Sequence, residues 1–356
     1  MTVAAMLEAD GKHRSAFAVR LISWQKMYGR DDLPWQHCRD AYRVWLSEIM
    51  LQQTTVAAVI PYFEKFTTRW PDVMALAAAA DAEVMAAWAG LGYYARARNL
   101  LACARVVSNE HKGRFPDTEE GLRALPGVGA YTAAAIAAIA FGKRAVVVDA
   151  NVERVVSRLF AIATPLPASR PAIRQDTDAI TPDERAGDFA QAMMDLGAGL
   201  CTVRTPQCLL CPLRQHCAAH RDGNAEAYPV KPPKAEKPHR YGRAWWLERA
   251  DGHVWIERRA EKRMLGGMAG LPGTAWDKRN PSPVKPPCSG NWVVLNQPVE
   301  HVFTHFRLTL TVERLIIAEG QPEGEGQWWP IWRIGDAGLP TLFAKVARTV
   351  MKVGDD

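Results

Sequence analysis

The sequence predicts a two-domain protein, in which an α-helical N-terminal domain precedes a smaller α+β domain. The chain has 356 residues, more than one hydrophobic core usually holds. Apolar residues recur at helical spacing over residues 16–222, whereas beyond residue 244 they alternate with polar residues as in strands. Between these regions, prolines alternate with lysines, which is typical of an extended linker. We therefore expect domains over residues 1–222 and 241–356, joined by a linker over residues 223–240.

Six segments of the first domain combine helix-forming residues with apolar residues at helical spacing. They predict helices over residues 43–53, 81–90, 93–110, 129–141, 151–161 and 185–196. In the second domain, Asp251 and Gly252 separate two apolar segments and predict a β-hairpin. The alternation from Phe306 to Val312 predicts a half-buried strand, and residues 340–351 a closing helix.

The composition excludes several classes of protein. Apolar residues make up 48% and charged residues 23%, which argues against a disordered or fibrous chain. The longest apolar run, residues 133–141, is roughly half of what a membrane-spanning helix needs. Four charges within the first fifteen residues leave no apolar signal-peptide core, so we expect a cytoplasmic protein rather than a secreted or membrane-inserted one. The net charge of +6 suits phosphate binding, although a slightly basic enzyme surface explains it equally well.

Four of the seven cysteines lie within seventeen residues, separated by six, two and five residues. They are Cys201, Cys208, Cys211 and Cys217. In a chain without a signal peptide, this clustering favours a metal site over disulfides. Structural zinc more often uses two close cysteine or histidine pairs, whereas a cubane iron–sulfur cluster takes four cysteines from a short irregular loop. The spacing therefore favours one 4Fe-4S cluster over zinc, and either metal over unliganded thiols.

The segment LPGVG at residues 125–129 directly precedes a predicted helix. Its two glycines permit a tight turn that exposes backbone N–H groups at a helix N-terminus, where a DNA phosphate can bind without base readout. The alternative is a packing corner between two helices, but the spacing is that of a helix-hairpin-helix element. The predicted DNA-binding residues here are Leu125, Gly127, Val128, Gly129 and Thr132.

Glu48 occupies an otherwise apolar predicted helix, with Gln52 and Thr55 expected on the same face. Loss of hydration beside Trp45 and Ile49 should raise the pKa of its carboxyl, as a general acid near neutral pH requires. From this helix alone, a surface glutamate on an amphipathic helix is the simpler interpretation.

Asp149 follows the apolar run 145–148 and precedes a predicted helix, so we expect it to be an N-cap. The helix dipole and amide donors are expected to lower the pKa of its carboxyl and keep it ionised. Two carboxyls whose pKa values are shifted in opposite directions favour glycoside-type chemistry. In such chemistry the protonated carboxyl aids departure of the leaving group, and the ionised carboxyl stabilises an oxocarbenium ion.

Together these segments resemble the helix-hairpin-helix DNA glycosylase superfamily, with the iron–sulfur loop of its endonuclease III branch. They are most similar to the adenine-specific mismatch glycosylases of that superfamily. The resemblance spans nearly all of residues 30–220. It is carried by the four cysteines and by LPW at 33–35, WLSEIMLQQT at 45–54, GLGYYARARNL at 90–100, LPGVG at 125–129, DANV at 149–152 and QAMMDLG at 191–197. The implied organisation is a six-helix module over about 30–137 and an iron–sulfur module formed by 1–29 and 138–222.

The resemblance implies an enzyme that flips adenine, mispaired with 8-oxoguanine or less strictly with guanine, out of duplex DNA and hydrolyses its N-glycosidic bond in base excision repair. Glu48 would protonate the adenine. Asp149 would stabilise the sugar cation, directly or as a transient covalent partner. Tyr131 and Asn151 would line the catalytic site.

Three further residues would contact the DNA on this resemblance: Gln52, Gln53 and Tyr93, of which the last two would enter the base stack near the 8-oxoguanine. Relatives in the endonuclease III branch that also cleave the strand carry a nucleophilic lysine at the position of Tyr131. A phenol cannot form an imine with the sugar, so a monofunctional glycosylase is implied.

The second domain is similar to the Nudix-like domain of the same family, through LGGMAGLPG at 265–273 and FTH at 303–305. No Nudix box with metal-binding glutamates follows Gly273. The resemblance therefore implies that Phe303, Thr304 and His305 recognise 8-oxoguanine. Ala150 and Thr304 replace the glycine and serine usual in the family, which puts the strength of that recognition in question.

Two other functions stay open from the sequence. One is a bifunctional glycosylase and lyase for oxidised pyrimidines, against which Tyr131 argues. The other is a non-catalytic iron–sulfur protein that binds damaged DNA, against which the pair of Glu48 and Asp149 argues, because mere binding gains nothing from both. The expected partner is double-stranded DNA containing adenine opposite 8-oxoguanine or guanine, bound by a monomer that does not associate with membranes. The resemblance also implies a bacterial-type, nucleoid-associated location.

Overall fold

A computed structural model describes residues 10–36, 38–232, 236–260, 264–279, 285–320 and 322–353. The chain divides into two compact units, Met1–Pro233 and Lys234–Asp356. This division falls inside the segment expected to be a linker. Within the described residues, no helix combines the length and the apolar character needed to span a membrane.

The N-terminal unit is helical, as predicted. Its α-helices are α1 (Asp10–Tyr28), α2 (Ala41–Leu51), α3 (Val56–Arg69), α4 (Val73–Ala78), α5 (Asp81–Trp88), α6 (Ala95–His111), α7 (Glu119–Arg123), α8 (Ala130–Ile139), α9 (Ala150–Leu159), α10 (Arg170–Ile180), α11 (Ala186–Gly199) and α12 (Ala218–Arg221). Short 3-10 turns cover Cys208–Leu210, Arg214–His216 and Ala225–Ala227. All six helices delimited from the sequence are present, with ends shifted by a few residues.

Local sequence signals explain where several of these helices begin. The side chains of Asp40, Asp72, Thr118 and Asp149 accept hydrogen bonds from backbone N–H groups in the first turns of α2, α4, α7 and α9. Each such cap stabilises its helix by about 1 kcal/mol. The N-cap role expected for Asp149 is therefore confirmed.

Two hydrophobic cores hold the N-terminal unit together. The first packs α2 to α8 around fully buried aromatic side chains, among them Trp45, Phe63 and Trp88. The second packs α1 against α9, α10 and α11 and includes Phe17, Phe189 and cysteine-loop residues such as Leu213. Each buried aromatic or large aliphatic side chain contributes about 1.5–3 kcal/mol. Helices of both cores contribute residues to the cleft described below, among them Glu48 of α2 and Asp195 of α11, so the cleft lies where the two groups of helices meet.

The C-terminal unit is the predicted α+β domain. Its strands are β1 (His239–Arg249), β2 (His253–Arg258), β3 (Ala269–Gly270), β4 (Val293–Val294), β5 (Val299–Val302), β6 (Arg307–Ile317) and β7 (Gly326–Pro330), followed by a 3-10 segment (Ile331–Ala337) and α13 (Thr341–Val353). The sheet order is β3-β2-β1-β6-β4, with β5 on β6 and β7 on β2.

The register of this sheet confirms the expected elements. Strands β1 and β6 run parallel from the pair His239–Arg307 to the pair Arg249–Ile317. Strands β1 and β2 form the predicted antiparallel hairpin, and Gly252 in its turn has a φ of 82°. Buried side chains of α13, such as Phe343 and Val346, join one hydrophobic core with residues of β1, β2 and β6.

Candidate active site

A cleft of about 600 Å³ opens between the two cores of the N-terminal unit, a volume within the usual range of small-ligand sites. The structure brings six of the predicted site residues to its wall: Glu48, Gln52, Gln53, Tyr131, Asp149 and Asn151. Thr55, expected on the face of Glu48, instead forms the N-cap of α3, because α2 ends at Leu51.

Glu48 lies near the C-terminal end of α2 and is only 8% exposed. Burial raises the pKa of its carboxyl to about 7, and the negative charge of nearby Asp149 acts in the same direction. The Tyr131 hydroxyl donates a hydrogen bond to this carboxyl, which partly offsets the rise in its pKa. The raised pKa expected from the sequence is confirmed, and the surface-glutamate interpretation is wrong.

Asp149 caps α9 with both carboxylate oxygens. Its Oδ1 accepts from the Val152 N–H at 2.7 Å, and its Oδ2 accepts from Asn151 Nδ2 at 2.8 Å. The expectation that its pKa is lowered is wrong: burial raises the pKa and outweighs the opposing effect of these donors. This burial comes from helices that are distant in sequence, so the residues next to Asp149 could not show it.

Arg154 connects the start of α9 to the cysteine loop. Its Nη2 donates to Asn151 Oδ1 at 2.9 Å and to the Gly197 carbonyl at 2.6 Å, and its Nε donates to the Cys201 carbonyl at 2.7 Å. A Cβ atom on Gly197 would lie 2.6 Å from the Asn151 Cβ, so the glycine lets α11 approach α9 closely. The sequence interpretation missed Arg154, because an arginine on the polar face of α9, opposite Val152 and Val155, normally indicates a solvated position.

Two more polar groups in the cleft wall were also missed. Asp195 on α11 is 4% exposed; it pairs with Arg30 at 2.6 Å and accepts a hydrogen bond from Gln25 at 3.2 Å. The Nε2 atom of Gln36 is buried and has no hydrogen-bond partner among the described residues. Because buried polar groups are normally paired, the free Gln36 amide leaves a hydrogen-bond donor in the wall for a polar ligand.

The LPGVG segment forms the turn between α7 and α8. Gly127 has a φ of 74°, and a Cβ there would lie 2.7 Å from the Asn99 Cβ, so both conformation and packing require glycine. Gly127 and Gly129 are exposed, whereas the side chains of Leu125, Val128 and Thr132 are buried. Only the backbone of the turn is therefore available to a phosphate. The hydroxyl of Thr132 instead accepts a hydrogen bond from Gln52 Nε2 at 3.5 Å.

Gln53 and Tyr93 both have exposed side chains and left-handed backbones, with φ values of 56° and 49°. Left-handed conformations are uncommon for residues other than glycine and cluster at functional sites. Gln53 lines the cleft, whereas Tyr93 follows α5 and does not line it.

The cysteine loop packs against a buried guanidinium. Arg158, 1% exposed, donates to Cys201 Sγ at 3.2 Å and to the carbonyls of Cys201 and Thr202. Burial raises the pKa of the Cys211 thiol to about 12, and the other three cysteines add to this rise, so the four thiols lie near one another. In the described part of the chain, no three or more histidine, cysteine or acidic side chains form a group that could hold a metal ion.

Four soft sulfur donors beside a buried cation nevertheless fit an iron–sulfur cluster. A buried guanidinium is costly unless negative charge accompanies it. Thiolates bound to iron would supply that charge at Arg158, whereas four neutral thiols would not.

In the C-terminal unit, Phe303, Thr304 and His305 form the turn between β5 and β6. Phe303 is half-buried and stacks on Trp276, with ring centroids 5.5 Å apart. Its ring also packs at a tilt against that of Phe306, with centroids 4.8 Å apart. Thr304 and His305 are exposed. Phe303 therefore anchors the turn, while its two neighbours are open to a ligand.

Family models match both units. Residues 46–176 match the HhH-GPD superfamily of base excision DNA repair proteins, and residues 243–349 match the NUDIX domain. A solved structure of a thermostable thymine-DNA glycosylase is 31% identical, with a TM-score of 0.53, over 59% of this chain and 97% of that one. The helical fold, its hairpin and the acidic cleft thus define a DNA glycosylase with a Nudix-like second domain.

Sequence relatives narrow this class. The chain is 36% identical over 251 residues to the adenine DNA glycosylase of Buchnera aphidicola subsp. Acyrthosiphon pisum, covering 70% of this chain and 71% of the relative. It is 31% identical over 346 residues to that of Buchnera aphidicola subsp. Schizaphis graminum, covering 93% and 97%. The human adenine DNA glycosylase is 45% identical over 219 residues, 58% of this chain and 40% of the human one. The chain belongs to the adenine DNA glycosylase family.

Proposed function

We propose that this enzyme removes adenine mispaired with 8-oxoguanine or guanine in DNA, by acid-assisted hydrolysis of the N-glycosidic bond. The observation that carries the proposal is Glu48, a buried carboxyl whose pKa of about 7 leaves a proton available at neutral pH inside a nucleobase-sized cleft. The similarity to adenine DNA glycosylases along nearly the whole chain supports adenine as the base.

Glu48 donates its proton to a ring nitrogen of the flipped adenine. Protonation makes the purine a neutral leaving group, so the bond between its N9 and the sugar C1′ breaks and the electron pair stays on the base. The deoxyribose then carries the positive charge. Tyr131, hydrogen-bonded to Glu48, fixes the orientation of the acid.

Asp149 faces that developing cation as a carboxylate. The Val152 N–H and the Asn151 side-chain amide hold its two oxygens, so the anion needs little reorganisation when charge appears on the sugar. Water then adds to C1′ and gives an abasic site, and its proton returns to Glu48. A covalent sugar ester of Asp149 is the alternative route to the same product.

Strand cleavage is not part of the proposed reaction. It would need an amine nucleophile at the sugar, and Tyr131 offers a phenol in the cleft instead. We therefore infer a monofunctional enzyme.

Duplex DNA is held in two ways on this proposal. The exposed backbone of the turn at Gly127 and Gly129 binds a phosphate at the N-terminus of α8. Gln53 and Tyr93 enter the base stack and replace the flipped adenine, while Gln52 contacts the strand beside them. Flipping costs a few kcal/mol of unstacking, which these contacts offset.

The C-terminal unit recognises the opposite base. Thr304 and His305 are exposed polar side chains on a turn anchored by Phe303, and they contact 8-oxoguanine through hydrogen bonds. We propose that the enzyme acts as a monomer on chromosomal DNA in the cytoplasm.

Cys201, Cys208, Cys211 and Cys217 hold one 4Fe-4S cluster on this proposal. Such a cluster, when bound, cross-links the loop and supplies the charge that accompanies Arg158. The purified protein should be brown and contain about four irons per chain. Stoichiometric zinc in place of iron would contradict this assignment.

Labelled duplexes with adenine opposite 8-oxoguanine, guanine or thymine test the function under single-turnover conditions, with and without alkali afterwards. We expect alkali-dependent breaks opposite 8-oxoguanine and guanine. Glu48→Gln should abolish base release while leaving duplex binding largely intact. Breaks without alkali would instead indicate a lyase, and intact adenine under all conditions would refute the proposal.

A further inference from the structure

Arg96, in the first turn of α6, bridges the two loops that carry Gln53 and Tyr93. Its guanidinium donates hydrogen bonds to six neutral oxygen atoms. On the first loop and the last turn of α2 before it, these are the carbonyls of Ile49 at 3.0 Å, Met50 at 2.9 Å and Gln52, and the Thr54 hydroxyl at 3.0 Å. On the second they are the carbonyls of Leu91 at 3.2 Å and Gly92 at 3.4 Å.

These bonds flank both left-handed residues. Gln52 and Thr54 stand on either side of Gln53, and Gly92 directly precedes Tyr93. A left-handed backbone persists at a residue other than glycine only where surrounding contacts impose it. Arg96 makes such contacts in both loops with one rigid planar group.

The guanidinium also packs on aromatic rings of the second loop and α5. Its central carbon lies 5.3 Å from the centroid of the Tyr93 ring and 5.4 Å from that of Trp88. The guanidinium of Arg96 is partly withdrawn from water, and this burial lowers its pKa. Carbonyl dipoles and ring faces therefore stabilise the cation in place of water. A lysine could not replace it, because a single ammonium lacks the fork that reaches both loops.

We propose that Arg96 is a positioning residue for base flipping: it fixes the spacing of the 52–54 and 91–93 loops so that Gln53 and Tyr93 enter the base stack as one unit. This inference rests on the proposed function, in which those two side chains fill the space left by adenine. Arg96 does not itself line the cleft; it acts through Gln52 and Thr54, which do.

Arg96→Lys tests the proposal, and Arg105→Lys is the matched control. Arg105 lies on the same helix and also donates to carbonyls, those of Ala77 at 3.5 Å and Ala79 at 3.3 Å. A duplex with 2-aminopurine beside the target adenine reports unstacking by stopped-flow fluorescence. We expect the fluorescence rise and single-turnover base release to slow on the order of 10- to 100-fold in Arg96→Lys, the size of effect that misplacement of a positioned group produces. Arg105→Lys should match the wild type.

The pH profile and a double-mutant cycle separate positioning from a general loss of structure. Arg96→Lys should keep the apparent pKa set by Glu48, and in a Gln53→Ala, Tyr93→Ala background it should slow base release less than about twofold further. If Arg96→Lys slowed base release in that background as much as it does in the wild type, the inference would be overturned. Equal rates for both lysine variants would overturn it as well.

A fluorescence rise missing from the wild type would instead contradict the proposed insertion of Gln53 and Tyr93. Should Arg96→Lys fail to fold, Thr54→Val removes a single contact of the guanidinium and should still slow the rise severalfold. An unchanged rise in that variant would refute the positioning role.

Discussion

Glu48→Gln is expected to make the protein more stable, by an amount that increases with pH. Glu48 is buried, and its pKa is raised from the ordinary value of 4.5 to about 7. The native state therefore holds the proton more tightly than the unfolded chain does. As pH rises from 4.5 to about 7, native stability falls, because ionisation in the unfolded chain precedes ionisation in the cleft. Glutamine is neutral and has no such pH dependence.

The magnitude follows from this difference in pKa. Each pKa unit corresponds to about 1.4 kcal/mol, so a carboxylate ionised in both states destabilises the fold by about 3 kcal/mol. The native state is destabilised by this full amount at pH 8. At pH 5, where the carboxyl of the native state is still protonated, the linkage relation gives a destabilisation of only about 1 kcal/mol. The stability advantage of Glu48→Gln should therefore increase by about 2 kcal/mol over that interval.

Urea unfolding of the full chain, followed by far-ultraviolet circular dichroism at several pH values between 5 and 8, measures this difference. Glu64→Gln, on the exposed face of α3, is the control and should show no comparable trend. A stability difference between Glu48→Gln and the wild type that does not change with pH would refute the reasoning. It would mean that the pKa of Glu48 is the same in the native state as in the unfolded chain.

Three further results should follow. Single-turnover base release should decline above about pH 7, because Glu48 then loses the proton that the adenine needs; a rate that stays constant to pH 9 would exclude it as the acid. Asp149→Asn should abolish base release yet change the free energy of unfolding by less than about 1 kcal/mol, since asparagine caps helices as well as aspartate does. Phe303→Ala or His305→Ala should lower the ratio of single-turnover rates on adenine opposite 8-oxoguanine and opposite guanine, and an unchanged ratio in both would remove the recognition role.

Local patterns predicted much of this site. The apolar neighbours of Glu48, such as Trp45 and Ile49, predicted a raised pKa, although a surface glutamate was the simpler interpretation of the helix alone. An aspartate between an apolar run and a helix likewise predicts an N-cap, because the hydrogen bond that defines the cap closes within three residues. The cap depends only on neighbours in sequence, so the sequence sufficed for it, whereas the burial of Glu48 also required the packing of α2.

Features that depend on distant segments were not predictable in the same way. The pKa of Asp149 is set by how far α2, α8 and α11 close over it, and no pattern near residue 149 records that closure. Arg96 reaches carbonyl groups more than forty positions earlier in the chain, and Arg154 reaches Cys201 across 47 positions. An arginine at helical spacing normally indicates a solvated face, so its burial against backbone oxygens becomes visible only in three dimensions.

Burial acts on both carboxyls of the cleft in the same direction, and their different hydrogen bonds determine which of them ionises first. Burial raises the pKa of both, yet the proposed chemistry needs one proton and one negative charge between them. Asp149 accepts from two N–H donors, whereas Glu48 accepts from a single phenol, so Asp149 ionises first. Its charge then raises the pKa of Glu48 further, and the remaining proton stays on Glu48 near neutral pH. On the proposed mechanism, the side chain that caps α9 is therefore the anion, and Glu48 is the acid.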